Sequence, residues 1–264
     1  MALALGTTPS LRNFEEYLQN RVSPGTARIY SYHVRCWLNW LGAAEPTAAL
    51  SQEYIDSLVK KGLGASTINL IANSIKRYFR WLGNKIELDA PTVRIPLPKY
   101  ISVEELDRVL AGCNTLLEKT LITVLFDTGV RISEALALNT SDIGWGLGLI
   151  SVIRKGGRRE EVNISMKAMV ILKEWLKLRQ MTSKRVFGDL EYQRARKVVL
   201  KAGKRAGLKL TPHMLRHSRG VQMLLSNATL HDVQAHLGHA NIATTANIYG
   251  QFKAVDLKER IPSW

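Results

Sequence analysis

The chain has 264 residues, more than the roughly 100 to 150 of a typical single domain, so two domains are the starting expectation. Its 37 lysines and arginines against 22 acidic residues give a formal charge of +15; such a potential favours a polyanion, nucleic acid first, although charge by itself fits plain solubility equally well. Cys36 and Cys113 stand far apart with no Cys-x-x-Cys partner, which argues against a disulfide framework or a zinc site. No stretch approaches about 18 apolar residues, and the opening Met-Ala-Leu-Ala-Leu lacks a signal-peptide flank, so a soluble chain without a membrane partner is expected.

Leu11, Phe14 and Leu18 fall at helical spacing, and Ser23-Pro24 opens a second helix with Tyr30, Val34, Trp37, Leu38 and Leu41 on one stripe. Ser51 is the expected cap of a third, with Ile55, Leu58 and Val59 inward and Gly62 at its end. A fourth starts near Ser66 and repeats Ile68, Ile71, Ile75, Phe79 and Leu82, while Lys76, Arg77 and Arg80 emerge on other faces. Taken alone, those cations read as an ordinary solvated face. Residues 1–86 thus read as a helical domain, and Pro91, Pro96 and Pro98 mark 87–100 as an extended linker.

The second domain, 101–264, opens on Ser102-Val103-Glu104-Glu105, a capping-box pattern. A helix through Leu121, Val124 and Leu125 stops at Gly129, and the next segment runs from Arg131 through Glu134, Leu136 and Leu138, which puts Arg131 beside a helix junction. Two β-branched runs, Ile150 to Ile153 and Val162 to Ile164, flank Arg154-Lys155-Gly156-Gly157-Arg158-Arg159, a hairpin with Lys155 on a basic tip. Helices follow at Ala168 to Leu178 and Tyr192 to Ala206; the latter carries Arg194, Arg196, Lys197, Lys201, Lys204 and Arg205, more than solubility requires. The expected class is mainly α with a small β-sheet: a helical N-terminal domain and an α+β second domain.

Thr211-Pro212 supplies a cap and a first-turn proline, so His213 and Arg216, three residues apart, share one helical face and can meet one phosphate. His217 points about 100 degrees away from Arg216 and reads as a packed histidine. A short helix capped near Thr229 ends at Leu237-Gly238-His239, and Tyr249 follows ten residues later. Each piece alone is most often structural; their order makes the case.

In that order, Thr128-Gly129-Val130-Arg131-Ile132-Ser133-Glu134, Lys155-Gly156-Gly157, His213-x-x-Arg216-His217, Leu237-Gly238-His239 and Tyr249 resemble the tyrosine recombinases of the phage-integrase type, in an Xer-like form. The resemblance covers about 102–249, and the first four helices are similar to that family's core-binding domain. Two places depart from it: Arg219-Gly220, where the family usually shows an aromatic or apolar residue and a small one, and the short segment after Tyr249.

The resemblance implies a site-specific recombinase that cleaves and rejoins duplex DNA through a covalent 3′-phosphotyrosine at Tyr249, in chromosome-dimer resolution or mobile-element integration or excision. Arg131 and Arg216 suit the charge that builds on the non-bridging oxygens. A tyrosine hydroxyl titrates near ~10, so its proton needs an acceptor, for which His213 is the candidate. By the same resemblance Lys155 protonates the departing 5′ oxygen, His239 donates to the scissile phosphate, and Glu134 orients Arg131 or a histidine. Lys76, Arg77, Arg80, Arg158, Arg159, Arg194, Lys197 and Lys201 are the candidate DNA contacts. No metal, cofactor or small-molecule substrate is implied, because the phosphotyrosine preserves the energy of the phosphodiester. The implied partners are a double-stranded target site and a homo-tetramer on paired sites, in the cytoplasm at the nucleoid. A non-cutting architectural or regulatory DNA-binding protein would share the charge and the helices, but the intact constellation argues against it. A type IB-like topoisomerase would share the chemistry, and the helical first domain favours recombination.

Overall fold

The structure, a computed structural model, describes residues 11–93, 99–154, 156–179 and 183–238. The chain divides into two compact units, Met1–Arg94 and Ile95–Trp264.

Among the described residues the first unit holds four helices, α1 Leu11–Gln19, α2 Pro24–Leu41, α3 Ala48–Lys60 and α4 Ala65–Trp81. Ser23 caps α2 by accepting the Thr26 amide, with Pro24 in the first turn, where its missing N–H costs nothing. The helical stripes meet in a core that includes Phe14, Leu18, Val34, Trp37, Ile55, Ile68, Ile75 and Tyr78. Tyr78 takes Phe14 and Trp37 edge-on, at centroid distances of 5.2 and 5.7 Å, the arrangement that ring quadrupoles favour.

Helix α3 departs from expectation in two places. Its cap is Thr47, which accepts the Leu50 amide, and Ser51 lies inside the helix with its hydroxyl donating to the Thr47 carbonyl at 2.6 Å. A serine there satisfies itself on the carbonyl four residues back. Val59 is 44% exposed rather than inward, because the buried stripe runs through Ser51, Tyr54, Ile55 and Leu58 and Val59 lies about 100 degrees past Leu58. After α4 the chain returns along this unit. Leu88 is buried, Gln52 both donates to the Asp89 carbonyl at 3.0 Å and accepts its amide at 2.8 Å, and Asn69 donates to the Pro91 carbonyl at 2.6 Å.

The second unit runs α5 Val103–Ala111, α6 Leu116–Thr128, α7 Ile132–Ala137, β1 Ile143–Gly144, β2 Leu149–Ile153, β3 Arg159–Asn163, α8 Met166–Leu178, α9 Tyr192–Arg205, α10 Pro212–Leu225 and α11 Leu230–Leu237. The expected capping box is present on α5, between Ser102 and Glu105. Helix α6 is buried from Thr120 to Phe126 and takes α8 and α10 against it; a helix apolar on every side belongs at a centre. The Thr120 and Thr128 hydroxyls, buried with it, donate to the carbonyls of Leu116 and Val124.

The expected hairpin is β2 and β3, antiparallel with Ile150 opposite Val162. A third antiparallel strand, β1, pairs Ile143 with Ile150 on the other edge and was not anticipated; two residues are too few to show a period of two. Helix α11 sits on α10 through a small separate cluster of Val221, Val233 and Leu237. The described residues are mainly helical with one small antiparallel sheet.

Candidate active site

The site begins where α6 ends. Gly129 takes a left-handed φ of 63° and closes the helix, a conformation that costs a side chain but not glycine. An added Cβ there would also lie 2.6 Å from Leu237 Cδ2, so the turn is pressed against α11. Two residues on, Arg131 is the N-cap of α7. Arginine has no acceptor for the orphan amides of a helix start. Instead Glu134 reaches back, accepting the Arg131 amide on Oε2 at 2.8 Å and the Arg131 Nη1 on Oε1 at 2.7 Å. The cap that starts α7 is therefore also the grip on the Arg131 side chain, which stays 36% exposed.

Glu134 is itself buried and shared. Its Oε2 also accepts Nη1 of Arg154 at 2.8 Å, and Arg154 Nε meets Glu160 Oε2 at 3.1 Å. Arg154 and Glu160 are not among the site residues expected from sequence, where Arg154 falls in the run that reads as a basic hairpin tip. A signal was present: in β2, Ile150 and Val152 face inward, and the same alternation carries Arg154 to the buried side at 6% exposure.

Helix α10 supplies the other half. Thr211 accepts the Met214 amide and Pro212 occupies the first turn. Arg216 is 5% exposed; its Nη1 donates to the Gly129 carbonyl at 2.6 Å and its Nη2 to the Leu237 carbonyl at 2.5 Å. One guanidinium thus fastens the ends of α6 and α11, and anchoring two of its five N–H groups sets the plane of the head. His213 is held below its ordinary pKa, first by desolvation and then by the positive fields of Arg216 and Arg131. That coupling brings Arg131, His213 and Arg216 into one neighbourhood.

His217 is half-buried on the same helix, and desolvation, followed by His213 and Arg216, lowers its pKa to about 4. His236 on α11 is likewise pushed to about 4, by desolvation and then Arg219, opposed by a hydrogen bond with the Thr128 backbone; its Nε2 is buried without a hydrogen-bond partner. Both rings are neutral in the folded chain at pH values where they are charged in the unfolded one. Folded pKa values below the ordinary 6.5 mean that the unfolded state binds the extra protons, so stability is full above about pH 6.5 and is lost as pH falls toward about 4. The thermal midpoint should drop over that interval, and His217→Gln combined with His236→Gln should flatten the drop; an unchanged slope in the double variant would sink the assignment.

Lys155, His239 and Tyr249 lie outside the described residues. Of the candidate DNA contacts, Arg194, Lys197 and Lys201 are exposed on α9 at positions that share a face, and Arg80 is exposed on α4. The others are engaged: Arg158 meets Glu160 and Arg159 meets Asp142, each at 3.1 Å, Lys76 meets Glu87 at 3.5 Å, and the Arg77 head lies 5.5 Å from the Tyr17 ring centroid. A cleft of about 970 Å³ between the hairpin and α11 is faced by Arg131, Arg154 and Arg158. Among the described residues no group of three or more His, Cys, Asp or Glu could hold a metal ion, and no helix is long and apolar enough to cross a membrane.

The chain thus joins a four-helix unit to a helical unit whose three-stranded sheet and helix ends gather two arginines and a histidine. Residues 11–85 match the phage integrase N-terminal SAM-like domain and residues 99–254 match the phage integrase family; the chain belongs to that family, the tyrosine recombinases, in its Xer-like branch. It is 30% identical to tyrosine recombinase XerA of Pyrococcus horikoshii, over 95% of this chain and 92% of the relative. The crystal structure of XerA recombinase superposes with a TM-score of 0.58 at 25% identity, covering 96% of this chain and 99% of that one. The structure of XerH site-specific recombinase bound to difH substrate superposes with a TM-score of 0.74 at 23% identity, over 95% of this chain and 83% of that one. Membership places the chain among the site-specific DNA recombinases that work through a tyrosine.

Proposed function

We propose that this protein cleaves and rejoins duplex DNA at a specific site through Tyr249, in chromosome-dimer resolution or in mobile-element integration or excision. The Tyr249 oxygen attacks the scissile phosphorus as its proton passes to His213; the bond to the 5′ oxygen breaks, and Lys155 gives that oxygen a proton. A DNA hydroxyl then reverses the step, and the phosphodiester energy is kept in the phosphotyrosine. Arg131 and Arg216 stabilise the charge on the non-bridging oxygens with N–H groups already held in place, and His239 adds a donor. The observation that carries this is the electrostatic coupling of His213 to both arginines. Desolvation first and those two positive fields second hold the ring below its ordinary pKa, which favours the unprotonated form that accepts a proton.

The helical unit and the catalytic unit are proposed to hold the duplex, with the α9 cations on phosphates, and a homo-tetramer to assemble on paired sites. Proteins of this fold solved with a difH substrate and with a circular intermediate DNA support a DNA partner. The test is trapping on nicked suicide duplexes that carry candidate sites, run without metal on a denaturing gel. Wild type should give a covalent adduct and Tyr249→Phe none. Sequence-specific binding with no adduct would replace this reading with that of a non-cutting DNA-binding protein.

A further inference from the structure

Arg154 makes three contacts with three separate elements. Nη1 donates to Glu134 Oε2 on α7 at 2.8 Å, Nε to Glu160 Oε2 on β3 at 3.1 Å, and Nη2 to the His236 carbonyl on α11 at 2.9 Å. Gly238 is shaped to it: with φ of 64°, a Cβ there would lie 2.6 Å from Arg154 Nε and 2.9 Å from Cζ. Successive carbonyls at the end of α11 are therefore held by two guanidiniums, His236 by Arg154 and Leu237 by Arg216.

Burying a guanidinium carries a desolvation cost that an apolar side chain of similar volume would avoid. What an apolar residue cannot do is hold Glu134. With Oε2 bound to Arg154, Oε1 is left facing Arg131 Nη1, and turning Glu134 away from Arg131 would break the buried pair. The Arg154 side chain thus joins the residue before Lys155 to the carbonyl of His236, three residues before His239.

We infer that Arg154 is a positioning residue for strand cleavage, setting Arg131 through Glu134 and fixing the hairpin to the end of α11. The inference rests on the Tyr249 reaction proposed above. It acts on the rate of cleavage, not on the affinity for DNA, because Arg154 is 6% exposed and turns three of its five N–H groups to partners inside the protein.

The test compares wild type, Arg154→Lys and the double variant Arg154→Met with Glu160→Gln, which removes the charge on both sides of one pair. Adduct formation is followed in single turnover at saturating protein, alongside Kd for the same duplex and the thermal midpoint. With Kd and midpoint unchanged, the double variant should cleave about 100-fold more slowly, the scale of a small misplacement of a reacting group. Arg154→Lys should also stay slow, since a point charge cannot span three partners. A wild-type rate in the folded double variant overturns the inference and leaves the Tyr249 reaction standing. If the double variant loses its thermal midpoint, Arg154→Lys decides in the same assay: slow cleavage at wild-type Kd supports positioning, and a wild-type rate overturns it. Absence of an adduct from wild type itself overturns the function and this inference together.

Discussion

Arg216→Ala is expected to lower the stability of the second unit by about 3 kcal/mol or more and to slow cleavage by at least about 100-fold. Both effects come from the same atoms. The buried guanidinium satisfies the carbonyls of Gly129 and Leu237, and a hydrogen bond from a charged donor is worth about 1.5 to 3 kcal/mol. Alanine removes the donor to two carbonyls at the ends of α6 and α11 and, in the proposed reaction, the charge that stabilises the developing phosphorane. Urea unfolding and single-turnover cleavage measure the two losses separately. Arg216→Lys should recover part of the stability and little of the rate, because an ammonium cannot bridge two carbonyls and a phosphate at once. Wild-type stability in Arg216→Ala would show that these carbonyls find other partners.

The second large effect belongs to Glu134. Replacing it by alanine removes the carboxylate shared by Arg131 and Arg154, together with the acceptor for the Arg131 amide. Breaking a buried ion pair from one side costs about 3 to 5 kcal/mol, since the remaining charge stays out of water. Arg154 keeps Glu160 as a counter-charge, which places the expected loss at the lower end of that range. Glu134→Gln retains one acceptor and the shape of the side chain, so it should fall between alanine and wild type in thermal unfolding. In both variants cleavage should fall further than DNA binding; equal losses in the two would mean that Glu134 acts on the fold alone.

Much of the frame was legible because it is local. Ser23-Pro24, Ser102 with Glu105, Thr211-Pro212 and Gly129 act within one turn of their own helix, so sequence neighbours decide them. The same spacing rule placed His213 and Arg216 on one face of α10. Where local rules offered two answers, packing chose between them. Thr47 and Ser51 are both capable caps four residues apart, and the stripe of α3 that faces its neighbours makes Thr47 the start and buries Ser51.

The helical frame, the order of the motifs and the family they resemble can be read along the chain, since they depend on contacts within a few residues or on pattern. The pairing of the charges depends on contacts between elements far apart in the chain. Arg154 meets a carboxylate 20 residues away and a carbonyl 82 residues away, and Arg216 reaches 87 residues back to Gly129. The alternation of β2 points Arg154 inward, but no local pattern says which acceptors it meets there. That choice belongs to the meeting of α7, β3 and α11, where a guanidinium is stable only if each element brings its acceptor.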